Sequence, residues 1–486
     1  MVWTALPAVF FLNLPLDLIE ALVYGREWQL GYDKLPPLPW WIVEATHRLF
    51  GPDLFYYALS QIAVVTALAL VWGMARHLVG AVGALVAIFI IDGLHYFTLT
   101  APKFNHDVVQ LPFWALAGAS YWAALRRGGI GHWLLLGFAI GMAFWSKYFV
   151  IVLATPLALF ILLDPDARKS LSTPGPYLAV AVALAVMAPH LVWLVQNDFV
   201  PYSYVNARAE VFRKPTDYLT KPSEFLLSQL HFLWPPLLIA APYLRQDVRA
   251  PDAPTHPGYA KTIDAFDRRI VAVLAWGPAA TLVLLSTVTG RSIVPIWGYP
   301  LWLFLGLWMV MHGRLLERVT LWRISFLWGV VFLCFVTAFG GAYYVRPRFS
   351  QNFVAVLFPG ERLGEEMTRR YRAMTGRPLA YVIGTMWLGG NVGHYSPDHP
   401  RVLIDGRLGR APWIDLGDLR AKGAVVVWTD SDPNILPREY RAIADDAEVQ
   451  PSFVLRKQRG TITYLIGWAV LRSRPVVAGS GVNSAP

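Results

Sequence analysis

Asp17, Glu20, Arg26, Glu27, Asp33 and Lys34 crowd the stretch from Asp17 to Trp41, which separates two very apolar segments and turns on Pro36, Pro37 and Pro39. On a helix begun at Asp17, Glu20 and Tyr24 follow at spacings of three and seven, and Arg26 and Glu27 at nine and ten. A carboxylate beside a membrane span can orient or deprotonate a hydroxyl as a general base. The compact ammonium of Lys34 can meet a phosphate without a planar partner. Ionisable groups at such depth are expensive and usually functional. The bland readings are an interfacial Asp17 that ends a helix and a Lys34 among lipid head groups.

A second group opens a later helix: Lys103, Asn105, His106 and Asp107. Asn105 is a good N-cap, and Asp107 suits the positive helix end. The same His-Asp pair can instead bind a sugar hydroxyl, an acceptor or a divalent cation, the one cofactor these residues raise. His-x-Asp ligand spacing is missing, and adjacent helix residues do not face one way, so the metal signal is weak. Lys147 stands between two short apolar runs with almost no other polar group at the turn. It either snorkels to the surface or reaches into a cavity. His190, beside Pro189, reads as a helix histidine with its ring satisfied. Asn197 and Asp198 either line the same cleft or cap the preceding helix.

The elements that must position these residues are membrane spans. Of 486 residues, 56% are hydrophobic and only 15% charged, against about a quarter charged in soluble domains. The single Cys334 excludes an internal disulfide and a thiolate metal site. The net charge of +10 is spread in short groups between apolar runs, which suits anionic lipid head groups rather than nucleic acid. No basic n-region or small-residue cleavage site precedes the charged loop, so no cleavable signal peptide is expected. Runs near the length a bilayer needs fall at 1–16, 54–75, 78–96, 107–125, 131–146, 148–163, 175–195, 225–244, 270–288, 295–311 and 322–344. The first is short, and either starts upstream or borrows Leu18 and Ile19.

These eleven spans predict a direction. Arg76-His77, Arg126-Arg127, Arg168-Lys169, Arg245 to Arg269 and Arg314 to Arg323 lie in alternate loops, and all are basic, which places them and the N-terminus in the cytoplasm. The opposite loops still hold Lys34, Lys103, Lys147, Arg208, Arg213, Lys214, Lys221 and Arg291. Basic residues that defy the rule point to an anionic ligand on the outer side. After Arg346 the composition turns soluble. Glu361 to Thr375 reads as an amphipathic helix, and Ala380–Ile383, Val402–Ile404, Ala424–Trp428 and Thr461–Ile466 as strands. The expected organisation is a transmembrane domain over 1–345, a small outer α/β domain over 346–472 and a disordered tail over 473–486. There is no Walker loop, Gly-x-Ser-x-Gly elbow or Rossmann fingerprint.

Gly31-Tyr32 with Lys34-Leu35-Pro36-Pro37-Leu38, Phe104-Asn105 with Leu111-Pro112-Phe113-Trp114, Ser146-Lys147-Tyr148, and Trp193 to Phe199 follow in a specific order. Over roughly the first 200 residues they resemble the polytopic glycosyltransferases of the GT-C fold. The similarity is greatest to the branch holding protein O-mannosyltransferases, the lipid A aminoarabinose transferase and the rhizobial galacturonosyltransferases. The resemblance implies an all-α polytopic membrane protein with a small C-terminal α/β periplasmic domain, in a bacterial inner membrane. It implies transfer of a sugar from a polyprenyl-phosphate carrier to a lipid, lipopolysaccharide or other glycan. Asp17 takes the place of the family's acidic residue, and Asp107 that of a second one. Asp17-Leu18 stands where an Asp-Glu pair is usual, leaving Glu20 or Glu27 as second carboxylates. Leu35 stands where a basic residue is usual, with Lys34 one place earlier. Arg26, Tyr32 and Tyr148 are further candidate substrate-side residues, beside Lys34, Lys147, Arg208 and Arg291. The rival classes are a flippase using the same cavity and a binding or assembly protein; a protein O-glycosyltransferase is a rival within the class. Paired halves with interrupted helices, the commoner transporter pattern, are not found.

Overall fold

The computed structural model describes residues 1–244, 263–312, 318–350, 352–429, 432–457, 459 and 462–474. Much of the two longest basic loops, 245–262 and 313–317, and the tail from 475 lie outside the described residues. The helices in chain order begin with α1 (Val2–Phe10), α2 (Leu16–Gly25), α3 (Leu38–Phe50), α4 (Leu54–Asp92), α5 (His106–Arg127) and α6 (Ile130–Ser146). There follow α7 (Ile151–Leu163), α8 (Pro165–Arg168), α9 (Gly175–Gln196), α10 (Pro201–Arg208), α11 (Asp217–Leu244), α12 (Ala265–Thr289), α13 (Leu305–His312) and α14 (Arg318–Gly340). The C-terminal part adds α15 (Gly360–Thr375), β1 (Tyr381–Gly384), α16 (Met386–Tyr395), β2 (Arg401–Ile404), α17 (Leu416–Lys422), β3 (Ala424–Trp428), α18 (Arg438–Ala444), β4 (Glu448–Arg456) and β5 (Thr463–Leu471).

Compaction does not follow chain order. One unit gathers Met1–Pro7, Leu30–Pro39 and Leu54–Phe339, and the other Ala8–Gln29, Trp40–Asp53 and Gly340–Pro486. Helix α2 and most of α3 fall in the second unit, with the chain from Gly340 on.

In the first unit, α4, α5, α9, α12 and the segment Leu321–Arg348, whose last residues belong to the second unit, are long and apolar enough to cross a membrane. Tyr148–Leu163 joins Pro165–Ser172 at 85° as a bent sixth candidate, and α6 is a shorter apolar helix. Some 72% of the apolar window of α5 is buried against 22% for α9. Helix α5 is therefore the core of the bundle, and α9 turns its apolar surface outward. At 39 residues α4 would run about 58 Å, twice a hydrocarbon core. It breaks at Gly80, with φ 75°, close to where two separate spans were expected. Helix α6 presses on α9 so closely that a Cβ on Gly137 would lie 2.2 Å from the Ala179 carbonyl. Small residues at helix contacts permit this approach.

Ion pairs tie the basic ends of these helices. Arg126 reaches Asp264 and Asp267, each at 3.0 Å. Arg269 reaches Asp164 at 2.7 Å and Asp166 at 2.8 Å.

Three expected spans differ. Residues 1–16 are not one helix, because α1 ends at Phe10 and Pro15 is extended ahead of α2; a residue before proline is driven from helical backbone. The run 295–311 holds a 3-10 turn, further turns and the eight-residue α13. Its Tyr299, Leu301, Leu303 and Leu307 are at most 1% exposed, so its apolarity serves a buried core segment instead. Helix α11 contains 225–244 but begins at Asp217 and does not meet the test of length and apolarity. The count of eleven is not reproduced by that test among the described residues.

The second unit holds a five-stranded sheet in the order β2-β1-β3-β5-β4. β1 pairs in parallel with β2 and β3, whereas β5 runs antiparallel to β3 and β4. Pro451 lies at the irregularity between Gln450 and Phe453 on edge strand β4, where a missing N–H is tolerated. Helix α15 buries Leu363, Met367 and Tyr371, four residues apart. The expected strands appear within one or two residues, except that the last runs on to Leu471. Its partner β4 was not foreseen, being half-exposed with Pro451 at its centre.

Candidate active site

Helix α5 begins where its sequence says it must. The Asn105 side-chain oxygen accepts from the Asp107 and Val108 amides at 3.0 and 3.2 Å, a full N-cap. The cap fixes Asp107 in the first turn, about 28 Å along the helix from Arg126. Its Oδ1 accepts from Lys147 Nζ at 2.6 Å and from Gln110 Nε2 at 3.0 Å. Both charged side chains of the pair are 12% exposed. Lys147 is extended (φ −164°, ψ 137°) between α6 and the following 3-10 turn, and its ammonium lies 5.6 Å from the Phe149 ring centre. The lysine therefore turns inward to a carboxylate. Of its three N–H donors, the hydrogen bond to Asp107 engages one.

Around this pair the 30–39 segment is pinned to the helices of its own unit. His106 Nε2 donates to the Pro36 carbonyl at 3.0 Å. His190 Nδ1 donates to the Leu30 carbonyl at 2.6 Å. That bond leaves the His190 Nε2 lone pair to accept from Tyr148 Oη at 2.8 Å. Trp193 stacks on His190 with ring centres 5.7 Å apart. A Cβ on Gly31 would fall 2.1 Å from the same indole, which accounts for glycine there. Tyr32 is 2% exposed, and Lys34 Nζ sits 5.1 Å from the Tyr204 ring centre.

The other expected residues of this unit have simpler settings. Lys103 is half-buried. Asn197 Nδ2 donates back to the Trp193 carbonyl at 2.8 Å, and Asp198 has φ 49°, so both shape the end of α9. Arg208 is exposed in the last turn of α10. Arg291 Nη1 donates to the Asn206 and Ala209 carbonyls at 3.2 and 3.3 Å, clasping the backbone at the end of α10.

Asp17, Glu20, Arg26 and Glu27 belong to the second unit. Asp17 is half-buried in the first turn of α2, where Pro15 provides no side-chain cap and the helix end favours an anion. Glu20 is 6% exposed. Both oxygens of Glu27 meet Arg401, at 2.5 Å to Nη2 and 3.2 Å to Nε, and Nη2 also donates to the Trp413 carbonyl at 3.1 Å. Arg26 Nη1 donates to the His399 carbonyl at 2.6 Å.

Sequence reasoning missed Gln110, although its spacing of three from Asp107 on one helix announced it. It also missed Glu44, His47, Arg48, His394, His399 and Arg401, which join Arg26 and Glu27 around a cleft of about 260 Å³. Residues some 350 positions apart carry no local signal of that meeting. Among the described residues no three His, Cys, Asp or Glu converge as metal ligands.

A bundle of apolar helices with charged residues at one helix end, together with a small mixed sheet, defines a polytopic membrane protein. Its fold is that of ArnT from Cupriavidus metallidurans. The structure of ArnT bound to undecaprenyl phosphate superposes with a TM-score of 0.61 at 14% identity, over 98% of this chain and 97% of that one. Its apo state gives 0.64 at 15%. Residues 34–193 match the dolichyl-phosphate-mannose-protein mannosyltransferase family. The lipid A galacturonosyltransferase RgtD of Rhizobium johnstonii is 31% identical over 182 residues, 36% of this chain and 37% of its own length. The match thus spans little more than a third of that relative. The lipopolysaccharide core galacturonosyltransferase RgtA of the same organism is 25% identical over 86% of this chain and 82% of its own. The undecaprenyl phosphate-alpha-4-amino-4-deoxy-L-arabinose arabinosyl transferase of Edwardsiella ictaluri is 28% identical over 35% and 32%. The chain is similar to polytopic glycosyltransferases of the GT-C fold, as its motifs implied.

Proposed function

We propose that this protein is a membrane glycosyltransferase that moves a sugar from a polyprenyl-phosphate carrier to a lipid, lipopolysaccharide or other glycan acceptor on the periplasmic side of a bacterial inner membrane. The observation that carries the reading is Lys147, a nearly buried ammonium held by one hydrogen bond to Asp107 in the first turn of core helix α5. An ammonium with donors to spare, in a low-dielectric setting, suits the phosphate of a lipid donor. The names of ArnT, solved with undecaprenyl phosphate, and of the galacturonosyltransferases support the donor and acceptor classes.

In the reaction the bond between the anomeric carbon and the carrier phosphate oxygen breaks, and a bond from the acceptor oxygen to that carbon forms. The carrier phosphate leaves with the electron pair. Lys147, oriented by Asp107, stabilises the developing charge, with Lys34 as a further cation. Asp17 takes the proton of an acceptor hydroxyl; toward an acceptor phosphate, which has no proton to lose, it positions instead. Glu27 acts through structure, since Arg401 engages both its oxygens.

Purified protein in liposomes, supplied with a radiolabelled polyprenyl-phosphate sugar and a lipid-linked glycan, should move label into the acceptor. Asp17→Asn should cut that transfer by about 100-fold or more, the scale of a lost general base. Label that crosses the bilayer without transfer would overturn the assignment in favour of a flippase.

A further inference from the structure

The second unit contains a cleft of about 260 Å³ whose residues the transferase reading does not use as a group. Its walls are the last turn and C-cap of α2 (Leu22, Val23, Arg26), the second half of α3 (Glu44, His47, Arg48), the end of α16 (His394) and the approach to and start of β2 (His399 to Val402). Its charges are unequally matched. Glu44 holds Arg48 at 2.7 Å, and Glu27 holds Arg401 at 2.5 Å. Arg26 spends one nitrogen, Nη1, on the His399 and Pro400 carbonyls, which leaves Nε and Nη2 as donors with no carboxylate among the described residues. Three histidines line the same space. The rings of His47 and His394 meet edge to face at 5.6 Å, and His399 sits in left-handed backbone with φ 44°. Leu22, Val23 and Val402 supply an apolar floor.

An apolar floor, imidazole rings and one unmatched guanidinium make a saccharide site with a single anionic contact. Arginine offers a planar fork to a carboxylate or phosphate, and imidazole nitrogens hydrogen-bond hydroxyls in either direction. Nine residues of helix separate Arg26 from Asp17, about 13 Å along the α2 axis. We propose that this cleft is a second saccharide subsite that takes an acidic sugar unit of the acceptor glycan, with Arg26 on its carboxylate or phosphate and His399 on its hydroxyls. Only the identity of the glycan as acceptor rests on the transferase reading; binding itself does not.

Binding of glucuronic acid, glucose 6-phosphate, glucose and inorganic phosphate to the purified full-length protein, followed by calorimetry or saturation-transfer NMR without any donor, tests the subsite. Glucuronic acid, glucose 6-phosphate or both should bind at least 10-fold more tightly than glucose. The preferred arm tells carboxylate from phosphate. Arg26→Gln should remove that preference, and His399→Ala, at an exposed position, should weaken the same sugar several-fold while the protein keeps its melting temperature. Equal binding of inorganic phosphate and glucose 6-phosphate, with none of glucuronic acid, would reduce the cleft to a general anion contact and overturn the proposal. Binding unchanged in both variants, or none in the parent, would also overturn it. Because no donor is present, these results stand apart from success or failure of transfer.

Discussion

Two carboxylate–cation pairs in this molecule look alike in sequence and differ in what they leave over. Glu27 and Arg401 form a closed contact, in which both carboxylate oxygens and two guanidinium nitrogens are engaged, and a carbonyl takes a further bond. Asp107 and Lys147 form an open one, a single bond at one carboxylate oxygen. Yet the open pair is the more buried in its cation, 12% exposed for Lys147 against 33% for Arg401. A planar fork matched to a carboxylate has little left for a ligand, whereas an ammonium keeps two donors. The first pair ties elements of one unit together, and the second stores charge at a helix end. Burial by itself does not identify a reactive pair; unspent hydrogen-bonding capacity does.

Removing the acid from each pair should separate them. Asp107→Asn leaves a nearly buried ammonium without its counter-charge, at about 3 kcal/mol, the lower range for breaking a buried pair. Glu27→Gln should cost about 1 to 2 kcal/mol, because Arg401 is a third exposed and screened. Denaturant or thermal unfolding in detergent measures both. Transfer per folded molecule should fall in Asp107→Asn and stay within about threefold of the parent in Glu27→Gln. A Glu27→Gln protein that folds well and fails to transfer would give that carboxylate a chemical role.

The smaller effect is a pH dependence in the second unit. Burial, then His47 and His399, push His394 down to about 3 from its ordinary 6.5, and burial also lowers His47. The unfolded chain then takes up these protons first. The stability is fully present above about 6.5 and is lost as the pH falls toward 3. Between pH 7 and pH 4.5 the free energy of unfolding should drop by an amount on the order of 2 kcal/mol, seen as a lower melting temperature, and His394→Asn should flatten the slope. Equal slopes in parent and variant would remove His394 from the account.

The helical part of the fold was legible where sequence and element coincide. Asn105 announced the start of α5, and α15 and β1 to β3 lie within one or two residues of their expected places. Apolarity misled at 295–311, since a segment buried in protein and one facing lipid are equally apolar. Lys147 was legible as an oddity, a lone cation between apolar runs, but its partner Asp107 is 40 residues away. The histidine cleft could not be read at all, because its walls come from three distant stretches whose pairing is set by tertiary packing.

The open pair is the central claim, and donor binding by Lys147→Met tests it most directly. The substitution keeps the apolar stem and deletes the charge. With a short-chain polyprenyl-phosphate sugar and purified protein, affinity should fall roughly 10- to 150-fold, the value of a charge-assisted contact of about 1.5 to 3 kcal/mol. Lys147→Arg should recover part of that loss, since a planar fork replaces a compact ammonium. Unchanged donor affinity in a folded Lys147→Met protein would contradict the account and make the Asp107 pair a structural tie like that of Glu27.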